Sequence, residues 1–190
     1  MDELISHIKS LISISDHQLE VVLDKLVEKR FSKKEHLLYV DHYAHEVFFT
    51  LRGCIRTYVS DFNGVEHNLS FALENWWFGD LQSFLNKTLA IHNIQALEDT
   101  LVLAINQEKW HTLTQEVPEF VNYLNILFRN AMFSLQNRVV QSLSLTAEER
   151  YSIFLKEYPN LSQRISQKHI ASYLGITPEF LSMIRSKKKR

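Results

Sequence analysis

Residues 166–185 read Ser-Gln-Lys-His-Ile-Ala-Ser-Tyr-Leu-Gly-Ile-Thr-Pro-Glu-Phe-Leu-Ser-Met-Ile-Arg, a spacing that predicts two short helices joined by a tight turn. Ser166 stands at the N-cap of the first, whose inward residues are Ile170, Ala171 and Leu174. Gly175 can take the positive φ that ends this helix. Thr177 is placed to cap the second, with Pro178 at its first position, where a missing N–H costs nothing. Ile176, Leu181 and Ile184 give that helix its apolar side, and the small Ala171 lets the two helices approach closely. Caps, turn glycine and interlocking apolar positions agree on a helix-turn-helix.

Such a motif points to binding in the DNA major groove. An ordinary helical hairpin that happens to end in charge is the competing reading, and the charge distribution speaks against it. Residues 160–190 hold seven Lys/Arg (Arg164, Lys168, Arg185, Lys187, Lys188, Lys189, Arg190) and one acid, Glu179, a net of +6. The whole chain is −1, so the first 159 residues carry −7. An acidic body with a basic end suits phosphate neutralisation at that end.

Composition bounds the rest. With 190 residues, 45% hydrophobic content, four Gly and three Pro, the chain has room for a sizeable core and two small domains. No apolar run approaches the ~20 residues of a membrane span. The N-terminus Met-Asp-Glu-Leu-Ile-Ser-His lacks a basic signal region. The single cysteine, Cys54, excludes an internal disulfide and fits a reducing compartment, so a cytoplasmic protein without membrane association is expected.

Upstream, residues 4–13 and 16–28 show helical spacing, with Ser15 or Asp16 as the second N-cap. From Lys29 to about Asn106 the period shortens to two. Short strands are expected over residues 36–40, 46–51, 54–59, 66–71, 91–96 and 100–105, with turns at Arg52-Gly53 and 61–64. This pattern predicts a small jelly roll or barrel. Residues 107–115 read as a short helix. Pro118 opens a long helix to about Leu143 whose apolar stripe is wider than one packing seam needs, leaving one side for a second chain. Thr146 with Glu149 forms a capping box for the next helix, which ends near Pro159.

In order of elements nearly the whole chain resembles the Crp/Fnr (cAMP receptor protein/fumarate-nitrate regulator) family. The resemblance is carried most specifically by Thr-Leu-Arg-Gly-Cys-Ile-Arg-Thr-Tyr-Val at 50–59, Asp-Phe-Asn-Gly at 61–64, Trp-Phe-Gly-Asp-Leu at 77–81, and residues 166–185. It implies an α+β fold. Residues 1–117 would form a cyclic-nucleotide-binding-like β-roll with N-terminal helices, 118–145 a long linker and dimerisation helix, and 146–190 a helix-turn-helix domain. With the chain stopping at Arg190, no C-terminal wing is expected. The family implies a homodimeric transcription factor with Leu124, Leu127, Phe128, Ala131, Leu135 and Val139 at the dimer seam, binding a pseudo-palindromic double-stranded site. RNA polymerase would be a further partner if the protein activates.

The chain departs from the family at the nucleotide cassette, formed by Gly79, Asp80, Leu81, Ala90, Ile91 and His92. Cyclic-nucleotide binders carry a Gly-Glu whose acid holds the ribose, then an Arg-Ser or Arg-Thr pair that clamps the phosphate. Here Gly79-Asp80 keeps the glycine and a shortened acid, Ala90-Ile91 stand at the clamp, and no Arg or Lys lies between Lys87 and Lys109. A buried phosphate without a guanidinium would have little to offset its desolvation. cAMP and cGMP binding is therefore not expected; an effector, if one acts, is a small molecule the sequence does not identify. One cysteine also rules out an iron–sulfur cluster on this chain's own thiolates, and His42 and His45 read as turn residues rather than a metal clip, so no cofactor is expected. Trp76, Trp77, Phe71, Phe78 and Phe84 read as core filling ahead of an effector pocket.

At the DNA end, Pro178, Glu179, Ser182 and Arg185 are the expected base-facing residues, with Glu179 able to accept from a cytosine amino group or simply to favour the helix N-terminus. Met183 sits where family relatives carry a basic side chain, which shifts readout toward apolar contact. Ser166, Gln167, Lys168 and Thr177 are the expected phosphate contacts, and Lys187, Lys188, Lys189 and Arg190 either add backbone contacts or form a solvated tail. Two further functional classes stand beside the regulator: an adaptor that has lost DNA binding, and a cupin-like metalloenzyme. His36, His67 and His92 lack the H-x-H spacing that the last would need, and no nucleophile–base arrangement is visible. The protein is therefore not expected to be an enzyme.

Overall fold

The computed structural model describes residues 1–188, with the side chain of Lys188 left aside. Lys189 and Arg190, expected to contact the DNA backbone, lie outside the described residues. The chain divides into two units, residues 1–59 with 70–129, and residues 60–69 with 130–190.

The first unit opens with helices α1 (Asp2–Leu11) and α2 (Asp16–Asp24). Ser15 caps α2 through a capping box with Gln18. The helical pattern expected to reach residue 28 stops at Asp24, because the backbone from Val27 is taken up by a strand. That strand, β1 (Val27–Phe31), pairs antiparallel with β8 (Thr100–Asn106), Val27 facing Ala104. Ladder bonds to a neighbour outweigh the weak helix propensity of the β-branched Val27.

Two four-stranded sheets form the roll. With β3 (Glu46–Arg52) and β6 (Trp77–Phe78), the first runs β1-β8-β3-β6. The second runs β2-β7-β4-β5, from β2 (His36–Leu38), β7 (Asn93–Ala96), β4 (Ile55–Ser60) and β5 (Glu66–Ala72). All six expected strands move at an end: 36–40 ends at Leu38, 91–96 begins at Asn93, 54–59 becomes 55–60, and the other three run one residue further, to Arg52, Ala72 and Asn106. The two-residue β6 and helix α3 (Leu81–Asn86) are too short to show a period, so sequence spacing does not reveal them. Val47, Phe49, Leu103 and Ile105 of the first sheet and Leu38, Ile55 and Ile94 of the second share one buried core. Leu4, Ile8 and Val22 of the N-terminal helices join it, as do Trp110 and Leu113 of α4 (Gln107–Glu116) and Phe120 and Tyr123 of α5 (Pro118–Ser144). Trp77 and Phe84 pack edge-on to Trp110, so the expected aromatic filling lies largely in this core, while Trp76 is exposed.

Helix α5 runs 27 residues. The second unit adds α6 (Ala147–Glu157), α7 (Leu161–Arg164), α8 (Gln167–Leu174) and α9 (Pro178–Lys188). Its own core is Tyr151, Phe154, Tyr158, Leu161, Ile165, Ile170, Ala171, Leu174, Leu181 and Ile184. No helix among the described residues is long and apolar enough to cross a membrane.

Candidate nucleic-acid interface and nucleotide cassette

The geometry of the second unit follows from its caps. Thr146 and Glu149 form the expected capping box at the start of α6. Gly175 ends α8 at φ 67° and ψ 35°, a left-handed conformation that costs glycine nothing. Thr177 Oγ1 accepts from the Phe180 N–H at 3.2 Å and so caps α9. Ser166 occupies the N-cap of α8, but its side chain accepts no bond there. It is exposed, which leaves water as the competing partner.

Ile170, Ala171 and Leu174 of α8 are buried with Leu181 and Ile184 of α9. The opposite side of α9 presents Glu179, Ser182, Met183 and Ser186, all exposed and spaced so that they share one face. Pro178 and Thr177 are exposed at the helix start, Arg185 is half-buried, and Lys187 Nζ lies 3.7 Å from Glu148. Gln167 and Lys168 are exposed in the first turn of α8. Ser166, Gln167, Lys168, Thr177, Pro178, Glu179 and Ser182 thus fall on the N-terminal turns and outer face of the helix pair, whereas Arg185 and Lys187 do not.

Arg138, on the last third of α5, was missed by the sequence reading. Its guanidinium donates to the carbonyl oxygens of Leu69, Asn68 and Tyr173, and stacks 4.0 Å from the Tyr173 ring centroid. Ser172 Oγ accepts from the Asn68 N–H at 2.9 Å and donates to the Glu66 carbonyl at 2.8 Å. These bonds tie residues 66–69 to α8. Arg150 similarly donates to the Leu145 and Leu174 carbonyls, closing the C-terminal end of α8. Both guanidiniums line a cavity of about 220 Å³ with Phe154, Glu157 and Ser172, and their donors already serve main-chain oxygens. No period or motif marks such cations, since their partners are backbone atoms distant in sequence.

In the roll, the cassette residues come together. Gly79 sits where an added Cβ would lie 2.9 Å from Val47 Cγ1. Asp80, 3% exposed, caps α3: its Oδ1 accepts from the Ser83 N–H at 3.0 Å. Its Oδ2 accepts from the Ile91 N–H and lies 3.1 Å from His92 Nδ1. Ala90 is buried and Ile91 exposed. The acid at the ribose position therefore faces inward onto the clamp segment of its own chain. Nearby, Trp77 Nε1 donates to Tyr123 Oη at 2.8 Å, and His7 Nδ1 lies 2.7 Å from the same oxygen. Trp77 can only donate, so the Tyr123 hydroxyl is free to donate to His7 Nδ1. Burial lowers the His7 pKa and raises that of Tyr123, which favours this neutral pair.

The expected seam residues of α5 divide. Leu124 is buried in the roll core and Leu127 half-buried against it, whereas Phe128, Ala131, Leu135 and Val139 are exposed. Met132, Phe133, Val140 and Leu143 add to this exposed apolar surface, Leu143 at 83%. His42 and His45 are exposed, and no group of three metal-ligating side chains occurs among the described residues.

Residues 28–117 match the cyclic nucleotide-binding domain family. The chain as a whole has the fold of the Crp/Fnr regulators. It resembles FixK2 from Bradyrhizobium japonicum at 21% identity and a TM-score of 0.75, over 85% of this chain and 83% of that one. It likewise resembles CLP, a c-di-GMP responsive global regulator of Xanthomonas campestris, at 12% identity and a TM-score of 0.75, over 92% of each chain. A third likeness is to a structure from Eubacterium rectale described as a transcriptional regulator of the Crp/Fnr family, at 18% identity and a TM-score of 0.70, over 90% of this chain and 82% of that one. No curated protein sequence matches the chain.

Proposed function

We propose that this protein is a cytoplasmic, sequence-specific DNA-binding transcription regulator of the Crp/Fnr type that acts as a homodimer and does not bind cAMP. The observation that carries the reading is the α8–Gly175–α9 pair: a buried seam on one side, and on the other an exposed face of polar side chains at a capped helix N-terminus. In this account Ser166, Gln167, Lys168 and Thr177 contact phosphate, Pro178, Glu179, Ser182 and Arg185 approach base edges, and the basic tail adds phosphate contacts. The exposed Phe128, Ala131, Leu135 and Val139 supply the dimer seam, within a linker helix over 118–145 that joins the 1–117 sensor roll to the 146–190 DNA-binding segment. RNA polymerase is a partner if the regulator activates.

Two features support nucleotide independence. The clamp positions are Ala90 and Ile91, which offer no charge to a phosphate. The only acid of the cassette, Asp80, is already bonded within the chain, and its carboxylate would repel an incoming phosphate. The reading involves no catalytic step and no cofactor; any effector is a small molecule of another chemistry.

Selection from sheared genomic DNA by the purified full chain, at two salt concentrations and with no ligand added, tests it. A two-fold-symmetric motif whose recovery weakens as salt rises is expected. Fragments recovered without a common motif, or none at either salt, would favour the adaptor reading.

A further inference from the structure

Across α6 to α9, the described residues include two exposed large apolar side chains, Phe180 at 37% and Met183 at 56%, and both lie on α9. Phe180 is on the flank of the helix. Met183 lies on the outward face itself, one turn beyond Glu179 and beside Ser182. An unbranched thioether in the middle of a polar face has no structural role in this unit, whose core is completed by Leu181 and Ile184 on the other side. The four side chains of that face, Glu179, Ser182, Met183 and Ser186, include no cation, so its centre has no guanidinium to grip the O6 and N7 of guanine. What the major groove offers to an apolar side chain is the C5-methyl group of thymine. A flexible, polarisable side chain can adjust to meet it.

We infer that Met183 is a specificity-determining residue that selects thymine in each half-site by packing on its C5-methyl group. The inference rests on the DNA-binding reading above and adds a named base and atom to it. Glu179, one turn earlier on the same face, then accepts from a cytosine amino group next to that thymine, so the half-site is read without a central guanine contact.

The experiment uses the recovered operator with each symmetric pair of thymines replaced in turn by deoxyuridine, which keeps the base pair and removes the methyl group. Binding of the full chain is followed by fluorescence anisotropy. One pair is expected to weaken binding roughly fourfold per methyl lost, about fifteenfold for both half-sites together. Met183→Ala should bind the unsubstituted operator more weakly and be indifferent to that methyl, with an unchanged melting temperature because the side chain is exposed. Met183→Arg should move the preference at that position from thymine to guanine. Wild-type binding that ignores every deoxyuridine, or a Met183→Ala variant that keeps the methyl sensitivity, overturns the inference while leaving DNA binding intact. Failure to recover any operator overturns both.

Discussion

Asp80 directs both carboxylate oxygens to partners within its own chain, and that arrangement sets the character of the cassette. It joins the start of α3 to the segment at Ile91 and His92 through one buried and two part-buried contacts. Replacing it with Ala leaves the Ser83 and Ile91 N–H groups without their acceptor, at about 1–3 kcal/mol for a stranded donor that is buried. Asp80→Ala is therefore expected to lower unfolding stability by about 1–3 kcal/mol in denaturant titration, chiefly from the buried Ser83 N–H, and Asp80→Asn, which keeps an acceptor, by less. Equal stability of Asp80→Ala and wild type would contradict the assignment. At this scale the sequence was informative where a residue type has few uses. Gly175, Thr177 and the Thr146–Glu149 box all stand as their chemistry suggests. It was silent on Arg138 and on the His7–Tyr123–Trp77 contacts, which join residues more than 45 positions apart and whose donors and acceptors leave no periodic trace.

Helices of two or more turns were legible because amphipathic spacing repeats within them; helices of fewer turns and the two-residue strand were not. Pro118 and the apolar stripe after it placed α5 to within a residue, whereas β6, α3 and α7 have too few positions to show a period. The first two residues of β1, Val27 and Glu28, fall within the helical spacing of the sequence, yet pairing with β8, 69 to 77 residues on, outweighs local preference. The stripe of α5 also proves to serve two surroundings: Leu124 and Leu127 face the roll core, while from Phe128 onward the apolar side chains stand in solvent. An exposed row of this length has the composition expected of the proposed dimer seam. Leu135 and Val139 are 64% and 50% exposed, so charging them leaves the subunit core untouched. Leu135→Glu with Val139→Glu is expected to halve the solution mass seen by light scattering, with the melting of the roll retained. An unchanged dimer mass would place the seam elsewhere.

Over the whole molecule, charge and fold divide the chain in the same sense. The first 159 residues carry −7 and the last 31 carry +6, so the C-terminal segment as a whole is cationic and the rest of the chain acidic. Residues 28–117 match the cyclic nucleotide-binding domain family, yet Ala90 and Ile91 are apolar and Asp80 is bonded within the chain. We therefore propose a Crp/Fnr fold whose DNA-binding end needs no cyclic nucleotide. An equilibrium titration of the recovered operator with the full chain, with and without saturating cAMP, tests this most directly. One dimer per operator is predicted, with the same affinity in both arms and log K falling linearly with log salt concentration. Specific binding that appears only when cAMP is added would contradict the account.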